Sequence, residues 1–203
     1  MKGALIIVTG PPGSGKTSFS ERIHMHFPDF TFLSYDTVKE DFFDMYGFNN
    51  LQEKDLVNAR SLEEFYHVLN EKMQSQTKLL IEYPFCKKHE KELRRLVSRY
   101  KYSCVTVILS GSFEILYMRS INRDMNTKRH PGHLAKCYHK NMVVLPEDMI
   151  NRITLETFKD TCIKKNYNIR IGNSFTVDVS DYKEIDYNRI FLQIDVALHP
   201  RVD

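Results

Sequence analysis

Residues 10–17 read GPPGSGKT, and this segment constrains the fold more than any other feature of the sequence. It matches the pattern G-x-x-x-x-G-K-[ST]. The short apolar run Leu5–Thr9 precedes it, and an amphipathic helical pattern over about Lys16–Phe27 follows it. A buried strand joined to a helix by a glycine-rich turn is the context that this pattern requires, so the segment predicts an α/β fold.

The glycine-rich turn also predicts a phosphate site. Gly10, Gly13 and Gly15 allow backbone conformations closed to other residues, so that amide N–H groups can point inward towards an anion. In this pattern, known as Walker A, the lysine reaches the β and γ phosphates and the threonine hydroxyl binds Mg²⁺, roles that fall to Lys16 and Thr17. The predicted nucleotide-binding residues of the turn are Gly10, Pro11, Pro12, Gly13, Ser14, Gly15, Lys16, Thr17 and Ser18. The predicted cofactors are ATP and Mg²⁺, with GTP open; the alternative is a turn that only joins a strand to a helix.

Apolar strands alternate with helical patterns along the chain. Continuous apolar runs such as LIIV and VTVIL are typical of strands buried on both faces. The alternation predicts a three-layer α/β/α sandwich with a five-stranded parallel sheet. The predicted strands are Leu5–Thr9, Phe30–Ser34, Leu79–Ile81, Val105–Leu109 and Phe175–Val179. The predicted helices cover about Lys16–Phe27, Thr37–Tyr46, Lys54–Gln76, Lys88–Tyr100, Phe113–Asp124 and Asp186–Leu198.

Size and composition predict one soluble domain over residues 1–203. No stretch approaches the roughly 20 apolar residues that span a bilayer, and Ala4–Val8 is too short for a signal peptide. We therefore expect no membrane partner and a cytoplasmic location. A formal net charge of +3 is compatible with anionic ligands but lies well below that of a dedicated nucleic-acid binder.

Two acidic residues lie at predicted strand ends, where open parallel sheets bind ligands. Asp36 follows the second strand, and Glu82 ends the run LLIE. Asp36 precedes a helical pattern, so a simple helix N-cap is the alternative interpretation. Glu82 is followed by Tyr83 and Pro84, which favour a turn, so its alternative is a structural acid at a strand end.

Five segments carry a resemblance to a known family, in chain order: GPPGSGKT, FLSYDTVKE, LLIEYPF, RSINRDMNTKRHPGH and VDVSD. The chain resembles the small-molecule P-loop kinases that include polynucleotide 5′-kinases, chloramphenicol phosphotransferase and zeta-toxin-like kinases. The resemblance covers nearly the whole chain, although only the first segment is highly specific. It implies a P-loop kinase with a helical lid at about residues 119–133.

The resemblance also implies roles for single residues. It makes Asp36 the candidate base that orients or deprotonates an acceptor hydroxyl, and it places Arg119 against the nucleotide base. Glu82 stands where many P-loop proteins carry an Asp that holds Mg²⁺, so it is a candidate metal residue with Thr17, and which of Asp36 and Glu82 is the base stays open. The implied catalytic residues are Lys16, Asp36, Arg123 and Arg129. The alternative for the arginines is an ordinary solvated basic helix end.

Two other features carry weaker expectations. His130 and His133 are not expected to bind a metal, because Mg²⁺ prefers oxygen ligands, and packing in the lid is the favoured role. The aromatic-rich stretch 42–76 is long for a connection between two strands and could form a helical insertion that walls the acceptor pocket. Its alternative is plain core packing, which aromatic residues at helical spacing more often serve.

Three functions remain open on these residues. The first is transfer of the γ-phosphoryl group of ATP to the hydroxyl of a small molecule. The second is a 5′-kinase on nucleic-acid ends, motivated by a pI of about 8.6 and by Arg94, Arg95 and Arg99 on one helix. The third is a nucleotide-dependent switch that transfers nothing, for which no switch segment is recognisable. The identity of the acceptor and the oligomeric state are not predicted.

Overall fold

The computed structural model describes residues 3–125 and 129–199. Its strands are β1 (Ala4–Thr9), β2 (Thr31–Ser34), β3 (Leu79–Glu82), β4 (Ser103–Ser110) and β5 (Asn173–Asp178). They form one five-stranded sheet in the order β2-β3-β1-β4-β5, and all neighbouring pairs are parallel. This arrangement confirms the predicted parallel sheet.

Helices cover both faces of this sheet. They are α1 (Lys16–His26), α2 (Tyr35–Tyr46), α3 (Leu51–Gln74), α4 (Lys87–Tyr100), α5 (Phe113–Asp124), α6 (Pro131–Leu134), α7 (Leu155–Lys165) and α8 (Tyr187–Leu198). Among the described residues, no helix is both long enough and apolar enough to cross a membrane.

The alternation of side chains along β1 separates two cores. Ile6 and Val8 point to the face covered by α1, α5, α7 and α8, where they join a cluster that contains Phe19. Leu5 and Ile7 point to the face covered by α2, α3 and α4 and pack with residues such as Phe65. Every residue of β1 is buried, since both of its faces are covered. The three predicted layers are therefore present.

Two helix predictions from the sequence were incomplete. Helix α3 begins at Leu51, ahead of the predicted start, because the Asn50 side chain accepts a hydrogen bond from the amide of Glu53. Helix α7 was not predicted at all, although Thr154 caps it through the amide of Thr157. Few of its side chains are buried, so its apolar periodicity is weak.

A small third core joins α2 and α3 to the chain after α6. Phe43, Phe48, Val57, Ala135 and Tyr138 form this cluster. A cavity of about 460 Å³ lies beside the turn after β1 and is called the main cavity. None of the described residues 42–76 lines it, whereas Asp36 and Lys39 of α2 do, so an acceptor wall formed by stretch 42–76 stays a prediction.

Lys54 connects this third core to α6. It is buried, and its ammonium donates hydrogen bonds to the carbonyls of His133 (3.0 Å) and Ala135 (2.9 Å) while it lies over the ring of Phe48. Burial lowers the pKa of Lys54 to about 8. Among the described contacts of α3, Lys54 alone gives these two carbonyls a donor, so it links α3 to the C-terminal end of α6.

We expect Lys54→Ala to lower the free energy of unfolding by about 1–3 kcal/mol, because two buried carbonyls lose their donor. Urea denaturation of the full chain measures this change. The matched control is Arg60→Ala, an exposed position of the same helix, which should change stability little. Equal stability of the two variants would contradict the role given to Lys54.

Candidate active site

The turn between β1 and α1 has the backbone of a phosphate-binding loop. Gly13 and Gly15 have φ values of 78° and 75°, which other residues rarely adopt. Helix α1 begins directly after Gly15, so the amides of its first turn have no acceptor within the helix. Those amides and the positive end of the helix dipole favour an anion at this position.

Lys16 lies inside this loop. Its ammonium donates hydrogen bonds to the carbonyls of Gly10 (3.2 Å) and Pro11 (3.0 Å), and the residue is buried. Burial lowers the pKa of Lys16 to about 8, although the nearby carboxylates of Glu82 and Asp36 act in the opposite direction. The buried Lys16 ammonium lies among three glycines, where it can bind a ligand that carries several negative charges.

The pKa of Lys16 makes a prediction for the pH dependence of nucleotide binding. The ammonium loses its charge as the pH rises through about 8, whereas bound phosphates require the charged form. Affinity for Mg·ATP should therefore hold below this pH and fall by up to about tenfold per pH unit above it. Binding titrations with Mg·ATP from about pH 7 to about pH 9.5 measure this fall in affinity. Lys16→Arg, whose charge is permanent, should remove the dependence, and an unchanged dependence in that variant would contradict the assignment.

Three side-chain oxygens meet beside the loop. Oε1 of Glu82 accepts hydrogen bonds from Ser34 Oγ (2.8 Å) and Thr17 Oγ1 (3.3 Å). Glu82 is 2% exposed, and burial raises the pKa of its carboxyl. Oxygen is the donor type that Mg²⁺ prefers, so the predicted pair of Thr17 and Glu82 fits this ion chemically. The described residues contain no group of three or more His, Cys, Asp or Glu side chains that could hold a metal.

Asp36 lies in the first turn of α2 and faces the open cavity, where its side chain is 35% exposed. The N-cap interpretation is wrong, because α2 begins at Tyr35 and Ser34 occupies the N-cap. Burial on its other sides raises the pKa of Asp36, but the charges of Lys39, His133 and Arg129 outweigh this effect and hold the pKa below its usual value. The carboxylate is therefore ionised at neutral pH and can accept a proton.

Lys39, one helical turn after Asp36, is a site residue that the sequence reading missed. Its ammonium lies 3.6 Å from Asp36 Oδ1 and within 6 Å of the rings of Tyr35, Phe43 and Tyr83. Its side chain is only 14% exposed. Tyr35 and Phe43 belong to α2, like Lys39, whereas Tyr83 follows β3. Only the spacing of Lys39 to its neighbours on α2 could have indicated this position.

Arg119 projects from α5 towards the end of β5. It donates hydrogen bonds to the carbonyls of Val179 and Ser180, and its guanidinium lies 3.9 Å above the ring of Tyr182. The Tyr182 hydroxyl lies so close to Gly15 that a Cβ there would clash with it. Arg119 and Tyr182 thus form a flat surface beside the phosphate loop, where a nucleotide base could stack.

Arg123 and Arg129 lie on the other side of the loop. Both guanidinium groups are near Asp124 Oδ1, at 3.0 Å from Arg123 Nη2 and 3.1 Å from Arg129 Nε. The Arg129 side chain is 18% exposed, whereas that of Arg123 is 41% exposed. Residues 126–128 of the predicted lid lie outside the described residues. Arg119, Arg123 and Arg129 all line the main cavity, so they are not merely a solvated helix end.

This cavity has a volume of about 460 Å³ and brings most of the predicted site residues together. It is lined by Pro12, Gly13, Gly15, Lys16, Thr17, Ser18, Asp36, Lys39, Glu82, Tyr83, Pro84, Arg119, Arg123, Arg129, His133 and Tyr182. Gly10, Pro11 and Ser14 do not line it, and Ser14 is fully buried under the loop. The phosphate loop and Asp36 therefore line different parts of the same cavity.

The family described as AAA domain (AAA_33) matches residues 5–142, which include the phosphate loop, Asp36, Glu82 and the three arginines. The chain belongs to this AAA domain family. The resemblance to P-loop kinases read from the sequence is thereby confirmed. No curated protein sequence matches the chain.

Solved structures similar to this AAA domain protein include one from Chloroflexus aurantiacus, provisionally described as a kinase. It is 26% identical, with a TM-score of 0.77, and the match covers 98% of this chain and 100% of that one. A gluconokinase from Sinorhizobium meliloti has 16% identity and a TM-score of 0.52, with 97% and 91% covered. Chaetomium thermophilum Kti12 in complex with ADP-AlF3 has 15% identity and a TM-score of 0.58, with 96% and 99% covered. The similarities to the gluconokinase and to Kti12 show only that the fold is shared.

His130 and His133, which were predicted to pack in the lid, contact carboxylates of α2. His133 Nε2 lies 2.8 Å from Glu40 Oε1, and His130 Nε2 lies 3.1 Å from Asp44 Oδ1. Both partners are far away in the sequence, which is why sequence spacing gave no sign of them. These contacts fix α6 against α2, and His133 lines the main cavity.

Proposed function

We propose that this AAA domain protein is an ATP-dependent kinase that transfers the γ-phosphoryl group to a hydroxyl of a small molecule. The observation that carries the proposal is the shared cavity, which has the phosphate loop with Lys16 on one part of its wall and the ionised Asp36 on another. A nucleotide and an acceptor bound there meet between these two groups. That proximity is what phosphoryl transfer requires of a protein.

The nucleotide is assigned to the side of the cavity that holds Arg119. Its base stacks on the guanidinium above Tyr182, and its phosphates lie on the amides after Gly13. Thr17 and Glu82 would hold Mg²⁺, which neutralises charge on the β and γ phosphates when bound. ATP is favoured over GTP because the sequence has no NKxD-like guanine motif.

The acceptor is assigned to the side of the cavity that holds Asp36 and Lys39. The acceptor oxygen bonds to the γ phosphorus while the bond from that phosphorus to the bridging oxygen of ADP breaks. Asp36 accepts the hydroxyl proton, and ADP leaves with the electron pair of the broken bond. Lys16, Arg123 and Arg129 stabilise the charge on the transferred group.

Three observations favour a small acceptor over a nucleic-acid end. Arg94 and Arg95 on α4 are paired with Glu90 (2.7 Å) and Glu92 (2.6 Å), so the basic face expected there is largely neutralised. The gluconokinase among the similar structures acts, by its name, on a small hydroxyl compound. A cavity of about 460 Å³ is also of the size that holds small ligands.

The test is a transfer assay with γ-labelled Mg·ATP across sugars, polyols, nucleosides, aryl alcohols and a 5′-hydroxyl oligonucleotide. We expect label on at least one small alcohol, and none with Lys16→Met. Label on the oligonucleotide alone would favour the 5′-kinase instead. Release of inorganic phosphate as the only product would contradict a kinase of either kind.

A further inference from the structure

A second cavity of about 290 Å³ adjoins the main one. It lies between α5, α6 and residues 149–153, and it shares three lining residues with the main cavity: Pro12, Arg123 and His133. Pro12 belongs to the phosphate loop, and His133 lies close enough to Asp36 to lower the pKa of its carboxyl. The two cavities therefore meet at these three residues, and Asp36 lines the main one.

Most of the second cavity's wall is apolar. Ile121 comes from α5, Leu134 from α6 and Phe158 from α7. Met149, Ile150 and Ile153 come from the segment between α6 and α7. The last three side chains are 39–44% exposed and all belong to this one cavity. Single exposed apolar residues are ordinary, but several that converge on one concave wall form a surface from which a ligand can displace water.

The segment that carries these side chains is fixed to its neighbours. The amide of Ile150 donates to the carbonyl of Leu134 (2.7 Å), and the Tyr117 hydroxyl donates to the carbonyl of Ile153 (3.0 Å). The amide of Lys136 also donates to the carbonyl of Asp148 (2.7 Å). The wall is thus formed before a ligand arrives, so that binding does not have to order it.

Size and chemistry define the class of ligand. A cavity of about 150 Å³ accepts benzene, so about 290 Å³ has room for a group of up to two rings. Among the polar side chains that line the second cavity, Arg123 pairs with Asp124 and His133 pairs with Glu40. The others are Ser120, Asn151 and Arg152. An uncharged apolar or aromatic group therefore fits this wall better than a sugar ring with its hydroxyls.

We propose that the second cavity binds an apolar portion of the acceptor, so that the substrate is a hydroxyl compound with an aromatic or similar apolar body. This inference rests on the proposed kinase function and makes it more specific. The hydroxyl lies at Asp36, and the apolar body lies against Ile121, Ile150 and Ile153. The apolar residues that line the second cavity but not the main one then set specificity without contacting the reacting atoms.

The experiment compares two probe compounds that differ by one phenyl group, glycerol and its phenyl ether. Their binding to the full chain saturated with Mg·ADP is measured by ligand-observed NMR titration. We expect the phenyl ether to bind at least about tenfold more tightly than glycerol, because burial of a phenyl group contributes at least that factor. Equal binding of the two compounds would overturn the proposal.

Two variants fill the cavity from opposite walls, Ile150→Trp and Ile121→Trp. Each should remove most of the phenyl preference. The matched control is Ile163→Trp, an exposed position of α7 outside both cavities, which should keep it. A preference that survives in both filled variants would show that the phenyl group binds elsewhere.

Parallel samples that contain γ-labelled Mg·ATP in place of Mg·ADP separate this proposal from the kinase function. A phenyl preference in binding without any labelled ether supports the apolar cavity and counts against the kinase. Label on glycerol and on its ether with equal efficiency supports the kinase and overturns the role given to the cavity. Label on the ether in clear preference supports both.

Discussion

Replacing Asp36 with asparagine should lower kcat for phosphoryl transfer by about 10²- to 10⁴-fold and leave the KM for ATP nearly unchanged. Asparagine has almost the same shape but cannot accept the acceptor's proton. The effect should fall on kcat because Asp36 lies on α2, whereas the phosphate loop and the surface formed by Arg119 and Tyr182 are elsewhere. Both constants are measured by steady-state kinetics with a compound that the transfer assay has identified as an acceptor.

The control for this prediction is Asp41→Asn on the same helix. Asp41 is exposed and does not line the main cavity, so its replacement removes the same charge without touching the acceptor. It should leave kcat within about twofold of the original protein. If the Asp36 and Asp41 variants turned over equally fast, Asp36 would have no part in the reaction.

Replacing Lys16 with methionine should lower kcat/KM for ATP by at least about 10²- to 10³-fold, the loss expected when one preorganised charge is removed. Methionine keeps an unbranched side chain of similar length in this buried position. Because burial of the Lys16 ammonium lowers its pKa to about 8, the charge costs stability in the free protein. Removal of this charge offsets the loss of its hydrogen bonds to the carbonyls of Gly10 and Pro11, and methionine leaves little empty space. The variant should therefore have a Tm close to that of the original protein, so that lost activity cannot be ascribed to unfolding.

The matched control is Lys164→Met, an exposed position near the end of α7. It should change neither kcat/KM nor Tm. Near-normal turnover of the Lys16 variant in the same assay would show that the phosphate loop does not hold the transferred group. A fall in Tm of the Lys16 variant alone would contradict the stability argument.

The parts of the site that could be predicted from the sequence depend on local signals. The loop at residues 10–17 combines a fixed spacing with a strand before it and a helix after it, and the structure has both. Asp36 and Glu82 were found because they follow buried apolar runs whose ends meet at one edge of a parallel sheet. Their placement in one cavity agrees with that reasoning, and their roles stay predictions.

The parts that could not be predicted depend on contacts between distant segments. Tyr182, which follows β5, lies against the phosphate loop. Glu40 of α2 contacts His133 of α6, which is 93 residues away in the sequence. Lys39 lies in its place because of aromatic rings from α2 and from the turn after β3. No spacing in a single sequence encodes such pairs, since they arise only when the sheet order brings the segments together.

Calorimetric titration of Mg·ATP into the protein and into its Lys16→Met variant tests the central claim most directly, because every later step needs a triphosphate bound at the loop after β1. The account predicts saturable binding at one site per chain for the original protein and a loss of most of that affinity in the variant. Absence of saturable heat with the original folded protein, or equal affinity in both, would contradict it.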